Sequence, residues 1–253
     1  MLTQTLWWLG MALELTLLLR AVRNNLLKTF PIFYTYLAYV LVESLVRFYV
    51  YVQFPSFYGL SYWVTQLGST LLGYGVVWEI CRQAVARYPG TFRMTRNAIV
   101  LIFVIVICKV VVSSLTSEGW SLAQTTGELE RDFRTVQAFL ILAIVGLLVH
   151  YRIQIGRNLR GMIWGYGFFI GTSILNLTFR SFLGEVFQIW WQYLQPVAYV
   201  VVLLIWCATL WSSHPNPEPE TDPRIEQDYQ SLVAATRRRF RQARAHVGRT
   251  VRP

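Results

Sequence analysis

The sequence predicts an all-α integral membrane protein: a bundle of seven transmembrane helices with its N-terminus outside and its C-terminus in the cytoplasm. Three observations carry that expectation. The composition is 55% hydrophobic and 15% aromatic but only 14% charged, with a mean hydropathy of +0.41, too apolar for a soluble chain to cover its surface with polar groups. Seven apolar windows can be read along the chain, each of roughly the 20 residues that a helix needs to cross the hydrocarbon core. The connections between them alternate in charge in the pattern that topology requires.

The windows fall near 4–22, 30–53, 59–80, 97–116, 133–151, 162–182 and 187–211. The first has no basic residue before it and Arg20, Arg23 and Lys28 after it, which fits a retained anchor rather than a cleavable leader. The connection after the second window is neutral, from Gln53 to Ser61, and the third is followed by Arg82, Arg87, Arg93 and Arg96. An acidic stretch (Glu118, Glu128, Glu130, Asp132) follows the fourth window, and Arg152, Arg157 and Arg160 follow the fifth. The connection after the sixth pairs Arg180 with Glu185. Basic connections stay cytoplasmic, so the expected location is the plasma (inner) membrane, with multiple crossings. Trp7, Trp8, Trp190 and Trp191 then sit at the outer interface, and Trp78, Trp206 and Trp211 at the inner one. The net charge of +10 is accounted for by these connections and the tail, and implies no nucleic-acid partner.

Beyond residues 1–212, which form the membrane domain, lies a Pro-rich acidic linker at 213–223 and then a basic stretch at 224–253. In the latter, Ile225, Tyr229, Leu232, Phe240, Ala243 and Val247 recur at helical spacing among Arg237, Arg238, Arg239, Arg241 and Arg244. A basic amphipathic helix just inside a membrane is expected to lie on anionic inner-leaflet lipids, or else to dock a cytoplasmic signalling protein.

Small residues mark packing seams where helices approach closely: Gly161 with Gly165, Gly167 with Gly171, and Ser69 with Gly73. Cys81, Cys108 and Cys207 have neither disulfide nor metal spacing. No nucleophile elbow, metalloprotease or phosphate-loop motif is present, and haem or retinal ligation lacks its histidines and last-span lysine. No catalytic residue, metal ligand or cofactor is therefore expected, and the chain does not read as an enzyme.

Polar residues inside the windows are the functional signal, because each costs a few kcal/mol at membrane depth. Glu14, Glu43, Arg47 and Lys109 form the expected charge network, with Glu43 and Arg47 four apart on one helix. Polar faces also run through Tyr36, Tyr39, Glu43 and Arg47; through Gln66 and Thr70; through Thr172, Asn176 and Arg180; and through Gln188, Gln192, Gln195 and Tyr199. Arg134 with Gln137 adds the fifth window. Two readings stay open: interhelical glue, each bond worth about 1 kcal/mol or less, or an outward-facing pocket for a small anionic ligand. The candidate ligand-binding residues are Glu43, Arg47, Gln66, Lys109, Asn176, Arg180, Gln192 and Gln195.

The stretch from Arg23-Asn24 to Arg47-Phe48-Tyr49 also loosely echoes that from Arg157-Asn158 to Arg180-Ser181-Phe182. Such an echo implies a parallel three-plus-one-plus-three arrangement, similar to that of SWEET-type sugar carriers.

By span number, orientation and short connections, residues 1–212 resemble the seven-helix sensor regions that precede bacterial histidine kinases and cyclases. They also resemble free-standing, uncharacterised seven-helix membrane proteins of bacteria. The resemblance implies a receptor-like sensor whose output passes through the tail to a separate partner, since the residues after the seventh window are too few for an output domain. Alternatives are a carrier with Glu14 and Glu43 as proton-coupling groups, or an accessory subunit of a larger membrane complex.

Overall fold

The computed structural model describes residues 2–85, 89–116, 122–150 and 153–212, with a few helical positions between 227 and 238. The linker at 213–223 lies outside the described residues, as do Arg237, Arg239, Arg241 and Arg244 of the expected tail helix; Arg238 is described, helical and exposed. All regular structure among the described residues is helical. In chain order the elements are α1 (Leu2–Arg23), the single turn α2 (Leu26–Thr29), α3 (Pro31–Gln53), α4 (Tyr58–Val85), α5 (Pro89–Thr116), α6 (Leu122–His150) and α7 (Arg157–Thr209), with a 3-10 turn at Pro55–Phe57 between α3 and α4.

Four stretches are long and apolar enough to cross a membrane: Gln4–Arg23, Pro31–Gln53, Thr95–Val112 and Leu129–His150. They fall on the first, second, fourth and fifth predicted windows. The third window lies on α4, while the sixth and seventh lie together on α7. At 53 residues, a straight α7 would extend about 80 Å, yet its two ends touch. Gly161 lies against Thr209 and Gly165 against Trp206. The Phe169 ring is 6.2 Å from that of Tyr199, and the Arg157 side chain donates to the Ala208 carbonyl at 2.7 Å. These pairs centre on residues 183–185, so the path doubles back near Gly184 and the two halves of α7 lie antiparallel.

Local chemistry sets the other boundaries. Asn25 takes a left-handed backbone, φ 54°, which turns the chain out of α1. Pro31 opens α3, where its fixed φ and missing N–H cost nothing. The exposed N–H groups of that first turn are met by Glu79 of α4: its two carboxylate oxygens accept from Ile32 N at 3.1 Å and Phe33 N at 2.8 Å. Gln83 donates to the Thr29 carbonyl at 2.8 Å beside it. At the end of α7, Asn24 donates to the Trp211 carbonyl at 2.8 Å and Asn158 to the Ser212 carbonyl at 3.0 Å, with Arg20 stacked 3.8 Å over the Trp211 ring. The helix ends bearing Arg20, Arg23, Lys28, Arg82, Arg157 and Arg160 thus gather at one end of the bundle.

Around an apolar core, several ionisable and amide side chains are also buried, while large apolar side chains face outward. Glu14, Glu43, Glu79, Arg134, Gln137 and Asn158 are buried, whereas Leu115, Phe139, Leu142, Val149 and Trp164 are more than half exposed. A surface of that kind fits a bilayer and not water. Helix α5 is held to the bundle by rings: Phe103 stacks on Phe133 of α6 at 5.4 Å, and both lie about 5 Å from Tyr74 of α4.

Candidate functional site

Two polar assemblies occupy the bundle. The first joins α3 to α4. Glu43 and Arg47, one turn apart, form an ion pair. Arg47 then spans to α4, where Nε donates to the Thr65 hydroxyl at 2.8 Å and Nη2 to the Tyr62 carbonyl at 3.2 Å and Gln66 Oε1 at 3.1 Å. Its guanidinium lies 4.3 Å over the Tyr62 ring, and the Tyr39 hydroxyl donates to the Thr65 carbonyl at 3.0 Å. Most of the donors on Arg47 are thereby committed to a neighbouring helix, which is the behaviour of interhelical glue.

The second assembly is central and draws on six helical segments, the two halves of α7 among them. Glu14 of α1, 1% exposed, accepts from the Tyr199 hydroxyl of the second half of α7 at 2.5 Å. Tyr36 of α3 stands edge-on to Tyr166 of the first half of α7, ring centroids 6.2 Å apart. The Tyr166 hydroxyl donates to the Gly73 carbonyl of α4 at 2.8 Å, an approach that only glycine allows, since a Cβ at position 73 would sit 2.6 Å from that oxygen. Arg134 of α6 reaches the same tyrosine, lies 4.6 Å over Phe169, and sits 3.4 Å from Glu130. Gln137, one turn along α6, lies beside Gly73. Glu14 and Glu43 are close enough to interact electrostatically, and Tyr36 interacts with both. Counted from the basic end at 1.5 Å per residue, Glu14, Tyr166, Gly73 and Tyr199 lie at about 13–18 Å, the depth of a bilayer midplane.

This second assembly is incompletely satisfied. Glu14 Oε2, Glu43 Oε2, Arg134 Nε and Gln137 Oε1 are buried and find no hydrogen-bond partner among the described residues. Leaving such a group unmet costs about 1–3 kcal/mol, so several on facing helices have the chemistry of a site that takes a polar guest. Both carboxylates and Arg134 can also exchange hydrogen bonds as a guest arrives, whereas the amide of Gln137 can both donate and accept.

The residues expected from the sequence do not all converge. Glu43, Arg47 and Gln66 come together, and Glu14 joins Glu43 at the central assembly. Lys109 lies apart: its side chain is 58% exposed and pairs with Asp132 of α6 at 2.5 Å. Gln195 is exposed and accepts from Trp191 Nε1 at 3.1 Å, while Asn176 is half-buried on the first half of α7. The side chains of Arg180 and Gln192 lie outside the described residues. Tyr166 and Glu79 are the two key groups that sequence reasoning passed over. Neither carries a local signal, since their partners lie 93 and 46–47 positions away. A separate cleft of about 240 Å³ between α4 and α5 is apolar, lined by Leu71, Tyr74, Gly75, Trp78, Ile99, Val100 and Phe103.

Against protein-family models, curated proteins and solved structures, the chain finds no match. Any functional reading therefore rests on the geometry just described.

Proposed function

We propose that the chain is a seven-crossing plasma-membrane protein, with its basic end in the cytoplasm and its N-terminus outside, that carries a small polar solute through the central polar assembly. In this reading Glu14 is the proton-exchanging group and the two halves of α7 are the sixth and seventh crossings. The basic tail, with Arg237, Arg238, Arg239, Arg241 and Arg244, rests on anionic inner-leaflet lipid.

The observation that supports a carrier is the charge pairing. Arg47 pairs with Glu43, Lys109 with Asp132 and Arg134 with Glu130. Each of these three cations already has a carboxylate partner, which weakens the pull on an anionic ligand that the receptor reading requires. Glu14 is left without a cation and is met by a tyrosine hydroxyl; unlike Glu79, whose two oxygens are both taken by backbone N–H groups, it keeps one buried oxygen unmet. An intramembrane carboxylate in that position gains or loses a proton when its surroundings change, the usual device of proton-coupled transport.

The test is reconstitution into liposomes with a trapped pH dye and a panel of polyols, amines and organic acids. Solute-driven proton movement in the wild type, lost in a folded Glu14→Gln variant, is the expected result. A solute that raises the melting temperature without any flux would favour the receptor reading. A protein that responds to no solute and is unstable without a co-purifying partner would point to an accessory subunit.

A further inference from the structure

The two halves of the chain repeat much of one burial register, although Val76, Glu79 and Ile80 are buried where Ile205, Ala208 and Thr209 are half-buried or exposed. At and just before the start of α3, Phe30, Phe33, Tyr34, Tyr36 and Leu37 are buried, and Pro31 and Thr35 exposed; 129 residues on, Leu159, Met162, Ile163, Gly165 and Tyr166 are buried, and Arg160 and Trp164 exposed. The same offset takes Gly73, Tyr74, Val77 and Cys81 of α4 to Val202, Leu203, Trp206 and Leu210, all buried. It also carries the turn at Pro55–Phe57 onto residues 184–186, where α7 reverses. For α1 and α6 the offset is 127: Gly10, Glu14, Leu17 and Ala21 match Gln137, Ile141, Ile144 and Leu148, every one buried, and the positions between them agree almost throughout. The two-residue difference is absorbed where α1 passes into α3 and α6 into α7.

The packing is reciprocal as well. The first helix of each half packs on the last helix of the other: α1 on the second half of α7, with Gly10 against Leu203 and Tyr199, and α6 on α4, with Phe133 against Tyr74 and Gln137 beside Gly73. Under the repeat, Gly10 corresponds to Gln137 and Leu203 to Tyr74, the residue after Gly73, so the two contacts join corresponding helix pairs at nearly the same level, one residue apart. The scaffold is duplicated but the chemistry is not. Glu14, Glu43 and Arg47 have Ile141, Thr172 and Asn176 as their counterparts, and Arg134 has Trp7. The polar residues of the central assembly thus face one another across the boundary between the halves.

We propose that the bundle is two three-helix units, α1–α3–α4 and α6 with the two halves of α7, related by a pseudo-two-fold axis near the Tyr36–Tyr166 contact and strapped by α5. The units rock against each other and open the central polar assembly to the two sides of the membrane in turn. This extends the carrier reading and rests on it for its purpose, while the motion itself is testable without any solute. A rigid unit moving about a site at the repeat boundary is the geometry that parallel repeats make available.

The experiment uses the full chain with Cys81, Cys108 and Cys207 replaced by alanine, in lipid nanodiscs. One variant carries Gly10→Cys with Leu203→Cys, which ties the units together; the other carries Arg157→Cys with Ala208→Cys, which ties α7 within its own unit. Both are closed with a short bifunctional maleimide, and hydrogen–deuterium exchange is followed by mass spectrometry. Expected is a several-fold slowing of exchange along the facing parts of α1, α4 and α6 in the first, with the second unchanged from its unlinked form. Equal effects in both, or no effect in either, would overturn the two-unit motion. If exchange behaves as expected while no solute drives protons, the carrier reading fails and the two-unit architecture stands.

Discussion

At the scale of single residues, the functional weight falls on groups whose partners come from other helices. Glu14 and Tyr199 share one hydrogen bond, so Tyr199→Phe should lower stability by about 1 kcal/mol, read from denaturation in mild detergent. A double-mutant cycle with Glu14→Gln should show the two effects to be non-additive, since the residues are in contact. Glu79→Ala should cost more, about 2 kcal/mol, because it strips the acceptors from two N–H groups of α3. Glu79→Gln, which keeps one acceptor, should recover part of that loss. The sequence exposed some of this and not the rest. Spacing alone identified Glu43 and Arg47 as a pair, because an i,i+4 partner is visible within one helix. Glu14 stood out as a lone acid in an apolar run. Tyr166 and Glu79 carry no signal in their own neighbourhood, because what distinguishes each is a carbonyl or amide supplied by a distant segment.

At the scale of elements, the apolar periodicity located α1, α3, α5 and α6, where lipid contact demands long apolar runs. The small-residue seams were legible too, but unequally. Gly161 and Gly165 admit Thr209 and Trp206, Gly73 admits Tyr166, whereas Gly171 has nothing within 4 Å of where a Cβ would be. Gly165→Leu should therefore force the halves of α7 apart at a cost of about 3 kcal/mol, while Gly171→Ala should be neutral or slightly stabilising through helix propensity. Thermal unfolding of the two purified variants separates these outcomes. Helix α7 shows why boundaries were harder to read than faces. It continues through Pro196 without a break, and its reversal near Gly184 follows from which residues touch rather than from any strong turn signal.

At the scale of the whole molecule, the proposed orientation puts the collected basic end in the cytoplasm. A C-terminal green fluorescent protein fusion should fluoresce and an N-terminal phosphatase fusion should be active in a bacterial host, the combination required by a cytoplasmic basic end. The internal repeat was only dimly visible in the letters. Matching Arg23-Asn24 with Arg157-Asn158 leads to Arg180 as the counterpart of Arg47, whereas the burial register makes it Asn176. Few identities are needed to keep a helix face buried, because any apolar residue of about the right size serves. The pattern of buried and exposed positions therefore keeps the repeat where the amino-acid identities have lost it.

The bond between Glu79 and the start of α3 has a consequence for how the chain is made. When α3 leaves the ribosome, the acceptor for its first N–H groups is still some 46 residues from being synthesised. Until then those groups at the basic end of the bundle lack their carboxylate, so α3 is expected to take its final place only when α4 arrives beside it. The later unit has Ala208 where the earlier one has Glu79, so the two halves of α7 are under no such obligation. Duplicated in form, the two units would then differ in the order of their biogenesis.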